Sequence, residues 1–313
     1  MGYRIRRREP VGKGLRRIVG EQIQKAERAA RDRARPQEDR VHDVRTRLKR
    51  SRAVLALIRR DGGEPVRRDD RRLRDVARLL SRPRDLAVQA HTFRLLGTRL
   101  QSEVPARLVA GLSAVERRVR RGLRPDEVER DLRRAARMLR RVRRALGGWH
   151  VAHGRRAISG GLTRMYRNAR AGLEAVRAEP SPEQFHDWRK QVKALSNQLR
   201  LIRQAIPELT TTLMPKIERL GELLGEVHDL HCAYATAEMH PRSFGRAEDG
   251  LVVLAAVEER RATLESEALA LAETVFSGRA RDVRALIKTG WRTWRRGETP
   301  GAEAGETPPA TLH

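Results

Sequence analysis

Residues 41–60 read VHDVRTRLKRSRAVLALIRR, and residues 185–204 read FHDWRKQVKALSNQLRLIRQ. Both carry His-Asp-x-Arg-x-x-x-Lys and both run on to Leu-x-Leu-Ile-Arg. His42, Asp43, Arg45, Lys49, Leu55, Leu57, Ile58 and Arg59 recur 144 positions later as His186, Asp187, Arg189, Lys193, Leu199, Leu201, Ile202 and Arg203. The same offset aligns Leu79-Leu80 with Leu223-Leu224 and Asp85-Leu86 with Asp229-Leu230. One such motif arises easily in a basic chain. Two, with matched pairs downstream, mark an internal duplication: two copies of one helical unit, expected to pack with approximate two-fold symmetry.

At 100° per residue, His42, Arg45, Lys49, Arg52 and Arg59 fall in one sector of a helix, beside an apolar stripe of Val44, Leu48 and Leu55. The second copy places His186, Arg189, Lys193, Arg200 and Arg203 together, with Trp188, Val192, Leu195 and Leu199 alongside. Like charges on adjacent turns destabilise a helix by a few tenths of a kcal/mol per pair, a cost that a bound anion reverses. A solvated face is the ordinary reading of a charge run; repetition at fixed positions favours a binding face here.

Outward from these segments, apolar residues three and four apart predict further amphipathic helices, and strand patterns are nearly absent. Leu15, Ile18, Val19, Ile23 and Ala26 mark a first helix, and Val41 to Arg60 a second ending at Gly62-Gly63. Others are expected near 69–81, 84–101, 105–121, 126–146, 157–177, 183–205, 213–238, 247–276 and 280–295, with breakers that include Pro83, Pro105, Pro180, Pro182 and Pro207. The expected fold is all-α, as one domain over 1–296 with halves at about 10–150 and 151–296. The segment 297–313, poor in apolar residues, is expected to be disordered.

The chain has 313 residues, with 68 Lys+Arg against 40 Asp+Glu and a formal charge of +28. Such an excess repels itself unless a partner neutralises it, which points to nucleic acid, polyphosphate, an anionic membrane or an acidic protein. Only seven of the basic residues are lysine; arginine's planar fork holds phosphate oxygens in pairs, although biased codon usage also favours it. Aromatics at 4% leave few platforms for stacking bases, which favours phosphates without bases and makes nucleic acid the weaker candidate. The single Cys232 cannot form an internal disulfide, and no run is apolar enough to span a membrane. Without a signal peptide either, the expectation is a cytoplasmic protein with no membrane insertion.

Other groupings point less clearly. His228, Asp229, His231 and Cys232 have helical metal-ligand spacing, but capping or packing is the commoner role of such residues, and the expectation is no metal. His150 and His153 are weaker still. Asp85 and Asp229 either cap helices and orient arginines or form a carboxylate pair for hydrolysis; without further acidic ligands the structural role is favoured. Arg164, Arg167 and Arg170 share a helical face and are candidate secondary phosphate contacts. There is no phosphate loop, nucleophile elbow or dinucleotide fingerprint, so neither catalysis nor a cofactor is expected.

At LRRIVGEQI, VHDVRTRLKRSR, LLSRPRDLAV, GLTRMYRNAR, FHDWRKQVKALSNQLRLI, LGELLGEVHDL and WRTWRR the sequence resembles the CHAD family, the conserved histidine α-helical domain proteins. The resemblance implies two antiparallel four-helix-bundle halves around a basic groove or pore. It further implies inorganic polyphosphate as partner, with localisation to polyphosphate granules. Carried to this chain, family-type positions are His42, Arg45, Lys49, Arg50 and Arg52 in the first motif, and His186, Arg189, Lys190 and Lys193 in the second. Ser196-Asn197 stands where many members carry an arginine or an aromatic followed by tyrosine, so the first repeat is expected to bind more strongly. The start, MGYRIRRREPVGKG, lacks the Glu-x-Glu-x-Lys element of members fused to a triphosphate-cleaving module, so that activity is not implied.

Overall fold

A computed structural model describes residues 2–101, 104–151, 154–244 and 247–297. The described residues form eleven α-helices and no strand: α1 (Val11–Arg31), α2 (Gln37–Leu57), α3 (Gly63–Leu79), α4 (Ser81–Leu100), α5 (Ala106–Arg121), α6 (Pro125–Arg144), α7 (Gly154–Ala178), α8 (Pro182–Ile202), α9 (Pro207–Glu238), α10 (Ala247–Phe276) and α11 (Ala280–Arg296). A 3-10 turn, Pro241–Phe244, stands between α9 and α10. The expected all-α class is what the chain adopts. Residues 298–313, most of the segment expected to be disordered, and His153 lie outside the described residues.

Proline sets many of the boundaries. Pro10, Pro36 and Pro105 immediately precede helices, and Pro125, Pro182 and Pro207 open them, where a missing N–H costs no helical bond. Ser181 caps α8, its hydroxyl accepting from the Gln184 N–H at 3.2 Å. Pro83 sits in the first turn of α4, one turn beyond the break it causes: its ring excludes a bond to the carbonyl of Leu79, where α3 stops. The residue 144 positions on is Val227, which imposes no such break, so α9 runs continuously where the first half has α3 and α4. The start expected at 213 is corrected to Pro207. Pro215 lies inside the helix, with Leu209 and Thr210 buried before it and Ile217 and Leu220 buried after it.

In the first half α1 packs against α2 and α6, and α3 joins α2 and α6. In the second, α7 packs against α8 and α11, and α8 against α9. The pairs α4–α5 and α9–α10 extend the two groups, which meet where α2 contacts α8 and α7 and where α4 contacts α9. The two apolar stripes are core: Val44, Leu48, Leu55, Trp188, Val192, Leu195 and Leu199 are each at most 1% exposed. Three contacts lock the junction. The Gln198 amide donates to the Ala53 carbonyl at 3.0 Å, in the core. Arg164 Nη2 donates to the Ala56 and Leu57 carbonyls at 3.0 and 3.4 Å, satisfying the exposed C-terminus of α2. Gly161 allows the close approach of α7, since a Cβ there would stand 2.1 Å from the Leu57 oxygen.

Candidate anion-binding site

Because α2 and α8 pack together, their basic sectors meet rather than face opposite sides of the molecule. Lys49 lies within electrostatic reach of Arg189, Arg45, Arg84 and Lys193. Arg45 reaches Asp85, Arg84 and Arg189, and Lys193 reaches Arg189 and Asp229. His42 faces Arg84 and Lys49, while His186 faces Arg189 and Asp85. Four helices therefore build one cluster: His42, Arg45 and Lys49 from α2, Arg84 and Asp85 from α4, His186, Arg189 and Lys193 from α8, and His228 and Asp229 from α9.

The cluster lies at the surface: His42 and Lys49 are exposed, and Arg45, Arg84, Arg189 and Lys193 are half-buried. The Lys49 side chain keeps solvent access yet is surrounded by protein, and this burial together with Arg189 and its other cationic neighbours pushes its pKa down to about 8. Burial first, and then the same cations, also hold Lys193, His42 and His186 below their ordinary values. His228 is pushed to about 4, and its Nδ1 lies 3.2 Å from Nδ1 of His186 with the rings 4.5 Å apart. One nitrogen of that contact must be an acceptor, so the pair does not carry two charges. The histidines are therefore neutral hydrogen-bonding groups at neutral pH rather than added cations.

Counter-charge is short. Among the described residues, Arg45, Lys49, Arg84, Arg189 and Lys193 have no carboxylate within ion-pairing distance, although they crowd together in one place. The Nε–H groups of Arg45 and Arg189 are buried with no acceptor, at positions related by the 144-residue offset. Arg45 does use Nη1, donating to the Ala77 carbonyl at 2.9 Å, which fixes its guanidinium against α3. Asp85 and Asp229 sit between the cations, near Arg45 and Arg189 respectively, their pKa values raised by burial against the lowering effect of those cations.

Several sequence-selected residues are engaged elsewhere. Arg52 pairs with Asp70 at 2.8 Å, Arg200 with Glu218 at 2.7 Å, and Lys190 with Asp187 at 2.8 Å. Arg50 lies over the Tyr3 ring, 5.8 Å from its centre. Arg59 falls past the end of α2, where the wheel no longer applies, whereas Arg203 follows the last residue of α8 in helical conformation, at φ −51° and ψ −31°. Arg164 is committed to the end of α2, while Arg167 and Arg170 are exposed on α7. Ser196 is buried and Asn197 donates to its own helix at the Lys193 carbonyl. The arginine at the matched position, Arg52, is itself neutralised by Asp70, so the asymmetry between the halves is smaller than the sequence implies.

Three contributors escaped the sequence reading. Arg84 aligns with His228, so the duplication conceals it. Gly221 and Gly225 on α9 lie against Lys193 and Arg189: a Cβ would come within 3.3 Å of the Lys193 ammonium and 3.8 Å of Arg189 Nε. Their i, i+4 spacing in LGELLGEVHDL, unfavourable for a helix, was the available signal. The other histidine grouping disperses: His228 Nε2 is 3.9 Å from Cys232 Sγ, whereas His231 turns to Glu265 at 3.5 Å. Among the described residues no three such groups are placed to hold a metal ion, and no helix is long and apolar enough to cross a membrane.

A crystal structure of the CHAD domain from the plant Ricinus communis is similar over 88% of this chain and 90% of that one, at 17% identity and a TM-score of 0.47. No curated protein matches. The CHAD domain family matches residues 17–238, a span that holds both motif helices and every member of the cluster on α2, α4, α8 and α9; the chain belongs to the CHAD domain family.

Proposed function

We propose that the chain binds inorganic polyphosphate, without acting on it, at the cationic cluster formed by α2, α4, α8 and α9. One observation carries the reading: cations from both repeats and from α4 converge with no carboxylate partner within ion-pairing distance. Arg45, Lys49, Arg84, Arg189 and Lys193 would neutralise successive phosphates, with the open Nε–H groups of Arg45 and Arg189 as donors. Asp85 and Asp229 would orient the arginines and keep the unliganded cluster from repelling itself apart. We read the two halves as related by an approximate two-fold axis near the α2–α8 contact, which presents matched cations to either direction of a chain without polarity.

Polyphosphate is favoured over nucleic acid because the cluster presents no aromatic platform. Trp188, on the motif helix itself, is 0% exposed. The family resemblance points the same way and extends to polyphosphate granules in the cytoplasm as the place of action. The test is competition for labelled polyphosphate at fixed salt. Unlabelled polyphosphate is expected to displace it far better than duplex RNA or DNA at equal phosphate concentration; equal displacement would establish a general nucleic-acid binder instead. Phosphate release dependent on Mg²⁺ or Mn²⁺ would contradict the non-enzymatic reading.

A further inference from the structure

One arginine group outside the central cluster is assembled differently from the solvated charge runs. Glu27 of α1 is 6% exposed, and its carboxylate takes three guanidinium groups: Arg31 through Nη2 at 2.8 Å, Arg140 through Nε at 3.2 Å and Arg143 through Nε at 3.3 Å. Basic residues in the last turn of α6 are ordinary, since they complement the helix dipole. The dipole does not account for their being drawn, together with a residue of α1, onto one buried carboxylate. Three cations on a single anion leave a local positive excess. Arg140 and Arg143 use only Nε, and among the described residues their terminal amino groups have no other partner. Both side chains remain more than 40% exposed, so an orienting anion lies beneath and uncommitted fork donors lie above.

This group and the central cluster stand on different helices. Arg31 and Arg140–Arg143 lie on α1 and α6, which pack on α2, whereas the other cluster residues are on α4, α8 and α9. The position 144 residues beyond Glu27 is Ala171, so the second half has no counterpart at that position.

We infer that Arg31, Arg140 and Arg143, gathered on Glu27, form a second phosphate-binding site. It takes a second polyphosphate strand, or a distant stretch of the same one, so that a single molecule bridges two lengths of polyanion. The inference rests on the central cluster being a polyphosphate site, and its test keeps the two apart. The variant Arg140→Gln/Arg143→Gln leaves Arg31 paired with Glu27, so the buried carboxylate is not abandoned. Calorimetry with polyphosphate too short to reach both sites should give two binding phases for the native chain. In the double variant the weaker phase should lose about tenfold or more in affinity while the tight phase is unchanged. Light scattering with long polyphosphate, which reports bridging, should fall in parallel. Unchanged stoichiometry and scattering in a folded double variant would overturn the second site, and loss of RNA binding with polyphosphate binding intact would overturn its ligand class. The variant Arg45→Gln/Arg189→Gln should remove the tight phase and spare the weak one, so a failure of the central reading appears in that arm alone.

Discussion

Lys49 has the pKa most informative about ligand binding. Its folded value of about 8 lies below the 10.5 of a free lysine, so between those values the unfolded chain holds the extra proton. Stability of the unliganded protein should therefore rise as pH increases from about 8 towards 10.5, the reverse of the behaviour of a paired lysine. Lys49→Gln should raise the melting temperature at pH 7 and flatten that rise. A bound polyanion offsets the cationic neighbours that add to the effect of burial, so binding near pH 8.5 should take up protons, and affinity should fall at higher pH. Calorimetry in two buffers of different ionisation enthalpy measures the uptake; the Lys49 variant should show less of it. His228 acts on the acid side. With its pKa lowered from 6.5 to about 4, the unfolded chain gains a proton first, so stability should be lost as pH falls through that interval. A smaller loss in His228→Gln, followed by thermal melts from pH 7 to 4, checks the assignment.

Glycines along α7 distinguish packing from simple helix propensity. Gly161→Ala would drive a methyl into the Leu57 oxygen and separate α7 from α2, with an expected cost of about 2 kcal/mol or more. Gly160→Ala, one residue away, has nothing within 4 Å and should be neutral or stabilise by up to about 1 kcal/mol. Chemical denaturation of both variants compares them directly. Helix existence was legible because the apolar stripes recur every three to four residues, and Val44, Leu48, Val192 and Leu199 all reached the core. What periodicity could not supply was the fate of each proline. Pro83 stands just past a helix break while Pro215 lies inside α9, although the residue is the same at both places. The motif wheel reached too far in the first copy, where α2 stops at Leu57, before Arg59.

At the scale of the molecule, the formal +28 charge is spread over arginines that pair with a carboxylate and arginines that do not, and the cluster gathers several of the latter in one place. The sequence identified the two motif helices as a pair through the 144-residue offset, but it could not tell which of their cations would be neutralised. Arg52 and Arg200 meet Asp70 and Glu218, each 18 residues downstream on the neighbouring helix, and only the packed structure shows those contacts. Arg84 was hidden for the opposite reason, since its counterpart is a histidine. The unpaired cations Arg45, Lys49, Arg189 and Lys193 should release counterions when a polyanion binds, making affinity fall steeply with salt. The most direct measurement is the slope of log affinity for polyphosphate against log salt concentration, for the native chain and for the variant with all four changed to glutamine. The cluster predicts a slope shallower by about three in the variant, together with a large loss of affinity; an unchanged slope and affinity would contradict it.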